Sequence, residues 1–168
     1  DPNGSIAMFT KEPMGPYNRP PLTKGLWNSN DVNSVMRPLD GFKVDLFTET
    51  PIVKIIPEQK QVTTEKGETF TYDKLLIAAG GSAIQLRGAP KGVIPYRTLS
   101  DYIKLHETLK DKSEYCIIGG GFIGSELAAA LTQQGKQVTM IFPEDGIAGR
   151  LFPDDLSAYI VDYYQGKG

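Results

Sequence analysis

Short apolar runs separated by turn-forming residues occupy the first half of the chain, and they predict strands. Residues 5–10 (SIAMFT) follow the turn-forming segment 1–4 (DPNG), and this run predicts a buried strand. Four later runs are also strand-like, at residues 43–47, 52–56, 61–64 and 69–72. Because the polar segments 57–60 and 65–68 have the length of hairpin turns, these runs predict an antiparallel β-meander.

Two further segments of the first half have their own patterns. Residues 13–21 (PMGPYNRPP) contain four prolines and one glycine, which argues against a helix or a central strand. We therefore expect an ordered, irregular loop over this segment and the following LTKGLW. Residues 74–79 (KLLIAA) form an apolar run that stops at two glycines, and this run predicts a strand buried on both faces.

The second half of the chain alternates between helical and strand-like periodicity. Residues 100–109 have helical spacing, with Ser100 as the expected N-cap. A strand, a helix, a strand and a final helix are then predicted at residues 115–118, 122–134, 137–142 and 154–164. The strand, glycine turn, helix and strand form a βαβ unit, so we expect its two strands to be parallel.

Composition excludes several functional classes. The chain has 168 residues and a net charge of -2, which does not favour nucleic-acid binding. It contains neither the roughly 18 consecutive apolar residues of a membrane-spanning helix nor a signal-peptide pattern, so we expect a soluble, cytoplasmic protein.

The titratable residues of the second half give little sign of metal or thiol chemistry. Cys116 is the single cysteine of the sequence, which excludes an intramolecular disulfide and a zinc site of several thiolates within this chain. It lies in an apolar strand, so a buried, inert thiol is expected. His106 has charged neighbours on a predicted helix and is expected to be a solvated surface residue. No metal site is predicted.

A glycine-rich turn between the strand at 115–118 and the helix at 122–134 carries the main functional signal. Gly119, Gly121 and Gly124 fit the pattern G-x-G-x-x-G. In such a turn the first glycine allows the tight bend, the second lets a diphosphate approach the backbone, and the third lets helix and strand pack closely. The helix N-terminus attracts the diphosphate. The alternative is a glycine turn that serves packing alone.

Three side chains near this turn are candidates for binding or catalysis. Glu144 follows the second strand, about 20 residues after the last glycine, where a carboxylate can accept both ribose hydroxyls. It would repel a 2'-phosphate, and no Arg or Lys follows it before Arg150, so NADH is favoured over NADPH. Phe122 is either a lid over the nicotinamide or a hydrophobic staple of the helix. Glu126 is an acid that the helix dipole can stabilise.

Four segments of the chain carry a family resemblance: PYNRPPLTKGLW, TYDKLLIAAGG, IIGGGFIGSELAAAL and FPEDGIAGRLFPDDLS. They resemble flavoproteins with two dinucleotide-binding domains, in the branch of NADH-dependent ferredoxin reductases and apoptosis-inducing factors. The resemblance implies an α/β, Rossmann-like three-layer fold that binds FAD and NAD. It also implies a partial FAD-binding domain at residues 1–92 and the N-terminal part of an NAD-binding domain at 93–168. We expect the chain to be a portion of a longer polypeptide.

The resemblance also implies roles for individual residues. Glu12 would hold the adenosine ribose of FAD, Arg19 and Lys24 would contact its diphosphate and flavin edge, and the Val53 backbone would meet the adenine. Lys24 and Glu126 would form an ion pair beside the flavin, and with Phe122 they are the predicted catalytic residues. The predicted cofactor-binding residues are Glu12, Arg19, Lys24, Val53, Ala79, Gly80, Gly119, Gly121, Phe122, Ile123, Gly124 and Glu144. Ala79 replaces the Thr that is usual in the family, which removes one hydroxyl from the flavin-domain turn.

These features predict an NADH-dependent FAD oxidoreductase without a redox cysteine. Hydride would pass to flavin, and electrons would leave singly to a ferredoxin, a rubredoxin, a quinone or oxygen. The expected partners are NADH and a small electron-carrier protein, with a homodimer as the expected assembly. One alternative is an NADH-sensing, redox-responsive interaction protein with incidental turnover. Another is that the 168 residues by themselves bind NAD alone.

Overall fold

The computed structural model describes residues 4–168, which divide into two compact units. The first unit contains residues 4–18 and 35–82, and the second contains residues 19–34 and 83–168. The proline-rich segment therefore contributes to both units, whereas the sequence suggested one boundary at residue 92. Which unit holds which cofactor stays a prediction.

The first unit contains a parallel strand pair and an antiparallel meander. Strand β1 (Ile6–Phe9) pairs in parallel with β2 (Val44–Phe47). Strands β3, β4 and β5 form a three-stranded antiparallel sheet, with bounds Ile52–Ile56, Gln61–Thr64 and Thr69–Thr71. A 3-10 turn, Pro57–Gln59, joins β3 to β4.

The predicted meander is therefore confirmed for three of its four runs and is wrong for residues 43–47. The reason lies in the turn after β2. Glu49 adopts the left-handed conformation, with φ of 48°, and redirects the chain. The N–H groups of Glu49 and Thr50 donate to the carbonyls of Glu12 and Thr10, so this segment continues the pairing with the N-terminal segment.

Two predictions about burial in the first unit are wrong. Strand β1 forms as predicted, but its Ile6 and Met8 are exposed, because it belongs to a sheet of two strands. Residues 74–79 form no strand, and Leu76 is 88% exposed. An apolar run becomes a buried strand only when a neighbour accepts its backbone hydrogen bonds, and none of residues 4–168 pairs with it in a ladder.

The second unit contains the predicted βαβ unit. Strand β6 (Glu114–Ile118) and strand β7 (Gln137–Ile141) are parallel and in register, with Ile117 opposite Met140. Helix α3 (Phe122–Gln133) connects them and buries its apolar face, including Leu127 and Leu131. The predicted parallel pairing is confirmed.

The burial prediction for Cys116 is wrong, since this side chain is exposed. Side chains alternate between the two faces of a strand, and Ile117 lies on the buried face. Cys116 therefore shares the opposite, open face of β6 with Ile118, which is also exposed. The thiol is accessible because no element in residues 4–168 covers this face.

Two helices of the second unit begin near their predicted positions. Helix α2 (Leu99–Glu107) has its N-cap two residues earlier than expected, because Thr98 and Asp101 form a capping box and Thr98, not Ser100, is the N-cap. Helix α4 (Asp154–Gln165) closes the chain. No helix in the described part of the chain is long and apolar enough to cross a membrane.

The proline-rich loop leads into short helical turns. A 3-10 helix at Pro20–Thr23 is followed by helix α1 (Leu26–Ser29), and further 3-10 turns lie at Val32–Val35 and Thr108–Lys110.

In α1, Trp27 is buried, with its ring centroid 5.2 Å from that of Tyr102. His106 joins this aromatic group, 5.4 Å from Tyr102, and its Nε2 lies 3.0 Å from Asn30 Oδ1. His106 is therefore half-buried and packed on one side, so the expected surface position is confirmed only in part.

Candidate functional site

The three glycines of the turn have different local geometries in the second unit. Gly119 has a φ of +122°, which side-chain-bearing residues rarely adopt. A Cβ on Gly124 would lie 2.0 Å from the Gly119 carbonyl oxygen, so helix and strand could not approach as they do. A Cβ on Gly121 would meet nothing within 4 Å. Gly119 and Gly124 therefore shape the turn, whereas Gly121 borders open space.

Gly120 is a structural position that the motif does not specify. A Cβ there would lie 2.7 Å from the ring of Phe142, which follows β7. The Gly120 carbonyl also accepts a hydrogen bond of 2.7 Å from the N–H of Ala148. The middle glycine of the Gly-Gly-Gly run therefore lets the segment after β7 pack against the turn. The sequence signal was the unbroken Gly-Gly-Gly run itself.

The N-terminus of helix α3 can receive an anion. Its N-cap is Gly121, and no side chain of the described residues caps it. The first N–H groups of a helix lack intrahelical acceptors and carry a partial positive charge. Because this uncapped end coincides with the open space at Gly121, the residues present fit a dinucleotide diphosphate.

The two residues that begin α3 are exposed rather than buried. Phe122 has its ring centroid 6.1 Å from that of Phe152 in an edge-to-face arrangement, and Ile123 is also exposed. These positions place an aromatic ring beside the uncapped helix end. Whether Phe122 covers a nicotinamide stays a prediction.

Lys24 and Glu126, which are far apart in sequence, meet in the second unit. Lys24 Nζ lies 2.8 Å from Glu126 Oε2, and the Thr23 hydroxyl donates to the same oxygen at 2.5 Å. Partial burial by itself would raise the pKa of Glu126, but the hydrogen bonds from Lys24 and Thr23 outweigh it and lower the pKa. The carboxylate is therefore held in its charged form beside an ammonium group.

The peptide between Leu22 and Thr23, one residue before Lys24, is fixed by two aromatic donors. The Leu22 carbonyl accepts a hydrogen bond of 2.7 Å from Trp27 Nε1 and another from the Tyr96 hydroxyl. Burial raises the pKa of Tyr96, so this phenol stays protonated and remains a donor. Arg19 donates from its guanidinium to the Arg97 carbonyl at 3.1 Å. These contacts hold the 3-10 helix at Pro20–Thr23 in place.

Glu144 is paired with a cation that the sequence argument placed out of reach. Arg150 Nε lies 2.5 Å from Glu144 Oε1. Arg150 comes close to Glu144 because the chain turns back between them at Gly146 and Gly149. A Cβ at Gly146 would lie 2.8 Å from Ser157, and a Cβ at Gly149 would lie 3.2 Å from Glu144. The predicted ribose acceptor therefore has a positive charge beside it, which weakens the sequence argument against NADPH.

The remaining predicted cofactor residues lie in the first unit. The Tyr17 hydroxyl donates to Glu12 Oε2 at 2.5 Å. Val53 falls where the β3–β4 register shifts, between Ile52 and Lys54, so its backbone stands outside the ladder pairs. Ala79 and Gly80 are exposed, and Gly80 has a φ of +64°. A bulge that frees backbone groups fits the expected adenine contact of Val53.

The second unit thus brings together Lys24 and Glu126, and it places the glycine turn at the start of the same helix as Glu126. Glu12, Val53, Ala79 and Gly80 belong to the first unit. The roles of all these residues stay predictions. Sequence reasoning missed Thr23, Gly120, Tyr17 and the proximity of Arg150, and of these only Gly120 had a visible signal.

Known proteins resemble the chain over nearly its whole length. It is 35% identical to "Apoptosis-inducing factor 1, mitochondrial" of Dictyostelium discoideum, an alignment that covers 96% of this chain and 36% of that protein. It is 36% identical to "Monodehydroascorbate reductase 4, cytosolic" of Oryza sativa subsp. japonica, with 98% and 43% covered. The chain therefore spans less than half the length of these relatives.

A solved structure confirms the predicted Rossmann-like FAD/NAD(P)-binding fold. A ferredoxin reductase from Rhodopseudomonas palustris superposes with a TM-score of 0.87 at 30% identity, covering 99% of this chain and 43% of that one. The family profile of "Pyridine nucleotide-disulphide oxidoreductase" matches residues 1–168. Proteins of this family depend on FAD and NAD(P)H. The chain belongs to the pyridine nucleotide-disulphide oxidoreductase family.

Proposed function

We propose that the protein is an NADH-dependent FAD oxidoreductase that delivers electrons to an external acceptor. The observation that carries this proposal is the Lys24–Glu126 ion pair, whose carboxylate lies on the helix that begins at the glycine turn. A glycine turn of this type binds a dinucleotide diphosphate, and a charged pair close to it can tune the electrostatics around a bound cofactor.

The second unit supplies the groups that would bind NADH. The uncapped N-terminus of α3 receives the diphosphate, and the open space at Gly121 lets it approach. Glu144 accepts the ribose hydroxyls, with Arg150 competing for the same carboxylate. Phe122, exposed at the start of α3, covers the nicotinamide and excludes water from it.

Each unit contains residues that the family resemblance assigns to FAD. Glu12, oriented by Tyr17, accepts the adenosine ribose hydroxyls, and the bulge at Val53 presents its backbone to the adenine. Arg19 and Lys24 contact the diphosphate and the flavin edge, and Ala79 and Gly80 approach the cofactor through their backbone. Bound FAD supplies the capacity to accept a hydride and to release single electrons.

We infer that the acceptor is a small electron-carrier protein such as a ferredoxin. The support is the 30% identity to a ferredoxin reductase. Quinone and oxygen remain the alternative acceptors, and a homodimer and a cytoplasmic location remain proposals from the sequence.

A second candidate function is NADH sensing by a redox-responsive interaction protein. The observation that favours it is the 35% identity to an apoptosis-inducing factor. Turnover would then be slow, and NADH would change the assembly state. Slow reoxidation together with a ligand-dependent dimer would favour this candidate over the electron-transfer enzyme.

The visible absorption spectrum of the purified protein tests the proposal, followed by anaerobic titration with NADH. We expect a flavin band that bleaches with NADH, and reoxidation that accelerates when ferredoxin is added. Gly121→Ala is the matched variant, because its Cβ enters open space and should weaken NADH binding without altering the flavin band. A colourless protein that takes up no FAD would contradict the proposal.

A further inference from the structure

The Thr23 hydroxyl is the most buried polar group that touches the Lys24–Glu126 pair. Thr23 is 8% exposed, and its Oγ1 lies 2.5 Å from Glu126 Oε2 and 3.4 Å from the Pro20 carbonyl. A hydroxyl has one proton to donate. Because the carboxylate is charged and much nearer, the proton is donated to Glu126. One carboxylate oxygen therefore accepts from both Thr23 and Lys24.

Lys24 alone would hold this carboxylate poorly. The side chains of Lys24 and Glu126 are 54% and 32% exposed. Exposed ion pairs contribute little, because water screens the charges and two long side chains lose rotamer freedom. Lys24 thus supplies charge, but its flexible stem does not define where the carboxylate sits.

Thr23 is better suited to define that position. Its side chain is short and β-branched, so its χ1 angle is restricted. Its backbone follows Leu22, whose carbonyl is held by Trp27 and Tyr96. The hydroxyl therefore projects from a rigid peptide toward α3, whereas the ammonium of Lys24 can move.

We propose that Thr23 is a positioning residue that fixes Glu126 Oε2 at the point where Lys24 meets it. Through this oxygen, Thr23 sets the place of the Lys24 ammonium relative to the first turn of α3. The relevance to hydride transfer rests on the proposed function. The positioning itself concerns contacts within the second unit and can be tested without turnover.

The first experiment is a double-mutant cycle between Lys24→Met and Glu126→Gln, measured from unfolding equilibrium constants of the purified protein. We expect a coupling factor of about two to five, which is the factor by which the unfolding constant of the double variant departs from the product of the two single effects. Repeated with Thr23→Val, the cycle should show a coupling factor close to one. With Thr23→Ser, which retains the hydroxyl, the coupling should return. Thr132→Val, a change on the same helix, is the control and should leave the coupling intact.

The second experiment measures flavin reduction by NADH in the FAD-loaded protein. Thr23→Val should lower the limiting rate constant about five- to tenfold while the dissociation constant for NADH changes less than about twofold. Thr23→Ser should recover most of the rate.

The outcomes separate the two proposals. Unchanged Lys24–Glu126 coupling with Thr23→Val, or no recovery with Thr23→Ser, would overturn the role of Thr23. If the unsubstituted protein fails to reduce flavin with NADH, the proposed function fails. The coupling cycle would then still decide whether Thr23 positions the carboxylate.

Discussion

The two units of the chain each contain a parallel strand pair, but they bury very different amounts of apolar surface. In the second unit Trp27, Leu99 and Leu131 are almost fully enclosed. Of the described residues of the first unit, Val35 and Val62 are the only buried hydrophobic ones. The second unit thus has a core of its own, and the first has far less.

The difference follows from what covers each pair. Helix α3 connects β6 to β7 and packs on one face of the sheet, which buries Ile117. The connection from β1 to β2 contains only short helical turns, which belong largely to the second unit, and aromatic contacts stabilise the strand pair. The ring of Phe9 stacks on that of Phe47, with 4.7 Å between the ring centroids. The ring of Phe70, on β5, packs edge-to-face against both of them. A parallel pair needs a covering layer to form a core, and a motif that encodes its own crossover helix supplies one.

The substitution with the largest expected effect on the packing of the second unit is at Gly124. In Gly124→Ala the new Cβ would lie 2.0 Å from a backbone oxygen, which cannot move as a flexible side chain can. We expect the second unit to lose its cooperative thermal unfolding transition, as measured by circular dichroism. Gly121→Ala should keep this transition but bind NADH about tenfold more weakly. A normal transition in Gly124→Ala would show that the close approach is not required.

Core substitutions in the two units should sharpen the contrast. Leu131→Ala should lower the free energy of unfolding by about 2–5 kcal/mol, because it leaves a cavity beneath α3. Val62→Ala should cost about 1.5 kcal/mol, because it removes two methyl groups from the smaller core of the first unit. Urea denaturation measures both. Equal costs would mean that the first unit is as well packed as the second.

Substitutions at the predicted nucleotide site of the second unit should change nucleotide affinity rather than the free energy of unfolding. Glu144→Gln should weaken NADH about tenfold, because the ribose hydroxyls lose a charged acceptor. It should strengthen NADPH, because Arg150 is released toward a 2'-phosphate. Adding Arg150→Gln should abolish the gain for NADPH. Isothermal titration measures these affinities, and no gain for NADPH in Glu144→Gln would contradict a role for Arg150.

The smallest effect should be the pH dependence of the Lys24–Glu126 pair. The pKa of Glu126 is lowered in the folded protein, so its stabilising contribution is present above the unfolded pKa of about 4.3 and is lost as pH falls through the lower folded value. Because both side chains are partly exposed, Lys24→Met should remove less than about 1 kcal/mol. Urea midpoints from pH 3 to 7 measure it, with Lys104→Met on α2 as the control. If Lys24→Met lowered the free energy of unfolding by the same amount at every pH, the ion pair with Glu126 would be contradicted.

Much of the second unit was predictable because its signals are local. The glycine spacing at 119, 121 and 124, together with the apolar periodicity of α3, specified the βαβ unit to within one residue at most boundaries. Both signals lie within one turn and one helix, so no distant contact is needed to interpret them. The family segments added the Lys24–Glu126 pair, which the structure brings together.

The predictions that failed depended on which segments become neighbours. Residues 43–47 and 74–79 have the composition of strands, but pairing and burial depend on the partner, and a local pattern does not name the partner. Cys116 has an apolar sequence context but lies on the uncovered face of β6. For residues 43–47 and Cys116 the strand itself was predicted correctly and its neighbours were not, whereas residues 74–79 form no strand because no strand among residues 4–168 pairs with them.

By itself the sequence determined the order of elements over residues 99–168, the glycine turn and the family, because these depend on residues close together in the chain. Only the tertiary structure decided that Thr23 donates to Glu126 and that Arg150 pairs with Glu144. Those contacts depend on how helices and loops pack across long separations, and packing is a property of the folded chain that no local pattern contains.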